Sequence, residues 1–248
     1  MNDNLNSDRL WPIPERSWFM RMKWHDLLFI HYPVPVASLR KLIPGPLEID
    51  TFAGQAWIGI VPFRMSGVSP RWMPDLPWMS RFPELNVRTY VTVNDRPGVW
   101  FFSLDATNPV AVRGARYLFH LKYMDAMIDI SSSEEWFEYR SVRTHRGEPK
   151  ANLRVDYRPI GRSFFAEPGS LEHWLTARYC LYTADRNDRV LRGEIEHPPW
   201  ALRNAQAVIH ENSMLNGLDI AVPDVEPLLH FAEETSVVAW SNERVQSL

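Results

Sequence analysis

The chain has 248 residues, 45% of them hydrophobic, with a formal net charge of -3 and no basic block. That length and apolar content support a substantial folded core, and the near-neutral balance argues against a nucleic-acid surface. The one cysteine, Cys180, excludes an intrachain disulfide and a cysteine-rich zinc site, and no apolar run approaches the roughly 18 residues of a membrane span.

The polar, acidic start is unlike a signal peptide, so a reduced, cytoplasmic compartment with no membrane partner is expected. Residues 1–17 read as a flexible N-terminal arm anchored by Trp11 and Trp18. Residues 18–248 read as a single domain, mostly β with a few short helices, without repeat or linker. Trp24–Tyr32 is a buried-strand candidate stopped by Pro33 and Pro35. Val36–Leu42 makes two helical turns before the rigid Pro44-Gly45-Pro46 turn. Ala56–Phe63 predicts a strand ended by Pro62, and proline-rich Ser69–Pro83 a long loop or lid.

Glu84–Val93 and Gly98–Asp105 predict a hairpin about the turn Asn94–Gly98. Pro109–Tyr117 predicts a short helix leading into a strand Tyr117–Tyr123 that lies beside that hairpin in one curved sheet. Further strands are expected at Glu134–Thr144, Asn152–Tyr157, Leu181–Thr183, Val190–Glu196, Gln206–Glu211 and Leu228–Trp240. Ser170–Tyr179 predicts a helix with Ser170 as N-cap and Glu172 in the first turn.

Alternation places Glu84, Asn86, Arg88 and Tyr90 on one strand face. In the same way Leu118, His120 and Lys122 share a face, opposite Tyr117, Phe119, Leu121 and Tyr123. One reading is a pair of solvated sheet faces. The other points both faces into a closed barrel, where a carboxylate, an amide, a guanidinium, an imidazole and an amine perturb one another and bind an anionic or carbonyl-bearing molecule.

Other motifs are bland. His25 and His31 lie six apart and no His-x-His or His-Glu-x-x-His pattern occurs, so no metal is expected. His197 and His230 fit corner positions where a histidine satisfies buried backbone. Ser103 and Ser131–Ser133 lack a nucleophile elbow, glycine-rich phosphate loops are absent, and no cofactor is called for. The tryptophans and methionines of 71–79 are either core filler or a hydrophobic lid.

Several segments together carry a resemblance: Leu39–Asp50 with its Pro-Gly-Pro turn, Asp50–Trp57, Glu84–Val91, Gly98–Ala106 and His197–Trp200. The chain resembles the YqjF-like family of uncharacterised bacterial proteins, within the acetoacetate decarboxylase-like superfamily. The likeness spans about Trp24 to Trp240 and implies a curved antiparallel sheet closing into a cone-shaped β-barrel. Acetoacetate decarboxylases form a Schiff base on a lysine beside a second lysine, with a glutamate and an arginine in the pocket. On that pattern Glu84 takes the glutamate's place and His25 falls where the arginine stands. One register puts Lys122 on the Schiff-base position; the other, closer to the YqjF-like pattern, puts Tyr123 there. No Lys-Lys pair exists in either. The resemblance thus implies Glu84 and Lys122 as catalytic candidates and His25 and Tyr123 as ligand-binding ones, and the alternation adds Asn86, Arg88 and His120 to the ligand-binding set. The expected function is binding of a small anionic or carbonyl-containing molecule. The alternatives are a β-keto acid decarboxylase using Lys122 and a ligand sensor or interaction protein without chemistry. Self-association into a homo-oligomer is left open.

Overall fold

Strands dominate because short runs of β-branched and aromatic residues recur along the chain; some alternate with polar residues, and others, as in Leu27–Tyr32, are buried almost throughout. The computed structural model describes residues 8–74, 80–133 and 135–245. Its strands are β1 (Met20–Val34), β2 (Glu48–Ile49), β3 (Ala56–Pro70), β4 (Phe82–Val93), β5 (Arg96–Ala106), β6 (Tyr123–Ser132), β7 (Phe137–Arg143), β8 (Asn152–Phe165), β9 (Cys180–Ala184), β10 (Val190–Glu196), β11 (Ala201–Asn212), β12 (Leu228–Ala239) and β13 (Glu243–Arg244). Its α-helices are α1 (Val36–Arg40), α2 (Pro109–Phe119) and α3 (Leu171–Thr176). Ser170 caps α3 as expected, its side chain accepting from the His173 amide.

The strands form one sheet in the order β13-β10-β9-β5-β6-β7-β8-β11-β12-β1-β3-β4-β2, and β4 also pairs with β5. That extra pairing closes β5 through β4 into a ring. A second pairing, β10 with β12, carries β9 and β10 across the other side of the wall made by β5, β4, β3, β1 and β12. The wall is therefore buried on both faces. Leu28, Ile30, Leu85, Val87, Tyr139, Tyr157 and Phe231 pack within the ring. Leu27, Phe29, Val61, Phe63, Leu104 and Trp200 pack against the opposite face.

Several expectations are corrected. The predicted strand Tyr117–Tyr123 does not exist: Tyr117–Phe119 are the last residues of α2, and β6 starts at Tyr123. His120, at φ 54, ends the helix in the left-handed conformation that glycine or asparagine more often supplies. β6 does lie beside the hairpin, but it runs parallel to β5. Pro62 does not end β3, which continues to Pro70. It pairs with Leu85 of β4 and falls where the β1–β3 register shifts between His25 and Ile30, the kind of irregular position at which a strand tolerates proline. Asn94 and Asp95, at φ 51 and 57, form the hairpin turn by themselves, and β5 begins at Arg96 rather than Gly98. Gly98 answers to a different demand: a Cβ there would stand 2.7 Å from the Cys180 carbonyl oxygen of β9. Of the loop or lid expected at Ser69–Pro83, both ends are strand, and 75–79 lie outside the described residues. In the N-terminal stretch, residues 1–7 lie outside the description. Beyond them Arg9 ion-pairs with Glu194 and Glu196, and Trp11 Nε1 donates to Glu194 at 2.9 Å.

Candidate functional site

Pairing decides which side chains share a face, because residues directly opposite one another in antiparallel strands point the same way. Glu84 stands opposite Ala106 and Asn86 opposite Leu104, whereas Leu85 stands opposite Asp105 and Val87 opposite Ser103. The wall thus presents two polar rows, one per face.

On the first face, Glu84 is 1% exposed and accepts a 2.9 Å hydrogen bond from the Tyr123 hydroxyl. Asn86 also hydrogen-bonds it. Burial outweighs both bonds and pushes the Glu84 carboxyl up to about 8, so at neutral pH it is an acid rather than a carboxylate. Burial, with Glu84 beside it, holds Tyr123 well above the usual phenol range. Further along, the half-buried Arg88 guanidinium lies 5.5 Å from the Phe29 ring centre and 5.9 Å from that of Tyr90. It makes no ion pair among the described residues. The Tyr90 hydroxyl meets His31 Nε2 at 2.7 Å, and burial, then Arg88, keeps His31 well below the usual imidazole range. Gly59 makes room for this pair, since a Cβ there would stand 3.1 Å from the His31 ring and 3.5 Å from Arg88. Arg178 stacks on Trp174 and Tyr90 and ion-pairs with Asp50 at 2.6 Å. Asn86 Oδ1, Arg88 Nε, His31 Nδ1 and Arg178 Nη2 are buried without a hydrogen-bond partner among the described residues. Such atoms are costly unless water or a ligand meets them.

On the second face, Asp105 is fully buried and held by Arg143 at 2.9 Å through both carboxylate oxygens. Arg143 also donates to Ser103 Oγ at 2.8 Å. Burial raises the Asp105 carboxyl above the usual range, and Arg143 opposes the rise. Beside this pair opens a cavity of about 350 Å³, lined by Ser103, Met124 and Arg143 from the ring and by Arg116 and Lys122 from the end of α2 and the loop after it.

The structure therefore brings together Glu84, Asn86 and Tyr123, with Arg88 further along the same face. It does not bring Lys122 to them. Lys122 is exposed, its Nζ lies 5.7 Å from the Trp100 ring centre, and it lines the cavity on the other face. Of the two neighbours, Tyr123 is the one that lies beside Glu84. His25 stands opposite Arg64, on the side of β1 and β3 away from Glu84, with its ring nitrogens at 2.7 Å from Ser66 Oγ and 3.1 Å from Glu234. His120 lies in the loop after α2, where its carbonyl accepts from Thr183 Oγ1. Sequence reasoning missed His31, Arg178, Asp105 and Arg143. Alternation carried a signal for His31 and Asp105, whereas nothing local marked the two arginines, whose partners lie 128 and 38 residues away.

Comparison with known proteins fits this architecture. The model of the DUF2071 family, described as an uncharacterised conserved protein, matches residues 21–236. The uncharacterised protein YqjF of Bacillus subtilis (strain 168) is 44% identical over 228 residues, 92% of this chain and 93% of its own. Among solved structures, acetoacetate decarboxylase from Legionella pneumophila superposes with a TM-score of 0.64 at 11% identity, covering 98% of this chain and 94% of that one. The enduracididine biosynthesis enzyme MppR, complexed with pyruvate, superposes with a TM-score of 0.63 at 11% identity, over 96% and 92%. An acetoacetate decarboxylase-like enzyme from Sphingomonas wittichii RW1 gives 0.60 at 13% identity, over 98% and 99%. At such identities the likeness is one of fold.

Proposed function

The chain belongs to the DUF2071 family of uncharacterised conserved proteins, and we propose that it binds a small carbonyl-bearing anion along the Glu84–Asn86–Arg88 row. The observation that carries this reading is Glu84. Its carboxyl is buried, lifted to about 8 and hydrogen-bonded to Tyr123 rather than to a cation. A neutral carboxylic acid has a proton to donate, which suits a ligand carbonyl oxygen. Arg88, with no carboxylate partner among the described residues, suits the ligand's negative charge, and the free Asn86 Oδ1 adds an acceptor. Fold neighbours solved with pyruvate or named for acetoacetate suggest short oxo acids as first probes. Binding is assigned here and no bond-making step, because Lys122, the amine on which a Schiff base would form, serves the opposite face.

The test is calorimetric titration with pyruvate and acetoacetate at pH 6.5 and 9. Binding should weaken at the higher pH as Glu84 ionises, weaken about tenfold in Arg88→Met, and lose its pH dependence in Glu84→Gln. An affinity indifferent to pH and to both substitutions would overturn the reading.

A further inference from the structure

The geometry points to a second small-molecule site, in the cavity on the Asp105 face, shaped for a monocarboxylate with a short apolar tail. This site does not rest on the Glu84 row, which faces the other way. Its volume, about 350 Å³, falls at the small end of the range usual for ligand pockets.

The lining divides by chemistry. Phe102, Met124, Met214 and Leu218 give an apolar wall. Arg116 and Lys122 bring two exposed cations. Arg143 is a third, but Asp105 already matches its charge. Among the described residues Glu148 is the one acid in the lining, and with it the cavity keeps an excess of one positive charge. Lys122 has no ion-pair partner among the described residues. Arg116 is held in place by 2.8 Å bonds from its Nη1 to the Tyr123 carbonyl and to His145.

One excess positive charge beside an apolar wall selects one negative charge carried on a hydrocarbon body. A cation would meet Arg116 and Lys122, and a multiply charged anion would exceed the single excess charge. A carboxylate carries that single charge and accepts from an ammonium and a guanidinium together, whereas a phosphate monoester carries nearly two charges at neutral pH. The occupant is therefore a short-chain carboxylic acid in its ionised form, head group between Lys122 and Arg116, tail against Met124, Met214 and Leu218.

The test is calorimetric titration of the full chain with hexanoate and octanoate, with octan-1-ol as the uncharged match. Octanoate should bind about tenfold more tightly than octan-1-ol. The double substitution Lys122→Ala with Arg116→Ala should remove that advantage, and Leu218→Trp, which fills the space, should lower affinity for both ligands. Lys41→Ala, an exposed lysine elsewhere, should change nothing. Three results would each overturn the assignment: no octanoate binding to the wild type, octan-1-ol bound as tightly as octanoate, or a folded double variant with wild-type affinity.

Discussion

Glu84 and Asp105 are both buried, on paired strands, one on each face of the same wall. Asp105 faces Arg143, which meets it with two 2.9 Å bonds, so its negative charge has a local counterpart. Glu84 faces a phenol and an amide, neither of which carries charge, and burial lifts it to about 8. Partner type, more than depth, decides whether a carboxyl in this wall serves as an anion or as a proton donor. The face with a matched pair can border a cavity whose net charge is set by Arg116, Lys122 and Glu148. The face with the unmatched acid carries the row proposed above to bind an anion along Asn86 and Arg88.

The comparison breaks most visibly in stability against pH. The folded value for Glu84, about 8, exceeds that of an unfolded chain, near 4.3. The native state therefore holds an extra proton between the two values. Its contribution to stability is complete below about 4.3 and is lost as pH rises through about 8. At roughly 1.4 kcal/mol per unit the whole effect is on the order of 5 kcal/mol. Glu84→Gln, neutral at every pH, should remove this slope. Urea unfolding at pH 5 and pH 9 measures it, and parallel curves for the two proteins would show that Glu84 is not neutral in the fold.

On the other face the expected break is smaller and has a different shape. Arg143→Met leaves Asp105 buried without its cation and should cost about 3 kcal/mol at pH 8. Without Arg143 the Asp105 value rises further, so stability is retained at low pH, where the carboxyl is protonated, and lost as pH rises. The same unfolding experiment at pH 5 should show a much smaller penalty. An equal penalty at both pH values would mean that Arg143 contributes by packing alone.

How far the sequence disclosed these two faces follows from the range of each interaction. Alternation along Glu84–Tyr90 placed Glu84, Asn86, Arg88 and Tyr90 together correctly, because a strand's period is local. The same rule failed at Tyr117–Tyr123. That stretch alternates too, yet it holds the end of α2, and the helix stops at His120, which adopts φ 54 without the glycine that usually marks such an end. The error mattered because it put His120 and Lys122 on a strand face they do not share. Asp105–Arg143 and Asp50–Arg178 were invisible for another reason. Each joins residues from distant parts of the chain, and neither arginine sits in a pattern that announces a buried partner.

The finest test lies in two neighbouring residues. Tyr123 and Lys122 competed in the sequence for one position, and the fold sends them to opposite faces. Tyr123→Phe removes the 2.9 Å bond to Glu84 and should cost about 1–2 kcal/mol. It should also push Glu84 further up, because that bond is one of the influences holding it down. Lys122→Ala removes an exposed side chain from the cavity rim and should change stability by no more than about 0.5 kcal/mol. Its expected effect is on octanoate binding in the cavity instead. The two substitutions also separate the chemistry. With Lys122 turned away from Glu84, borohydride in the presence of acetoacetate should leave no adduct on the wild type, and carbon dioxide release should match that of Lys122→Ala. A trapped adduct on Lys122, with release abolished by its removal, would place the reactive amine in the cavity and reverse the roles given to the two faces.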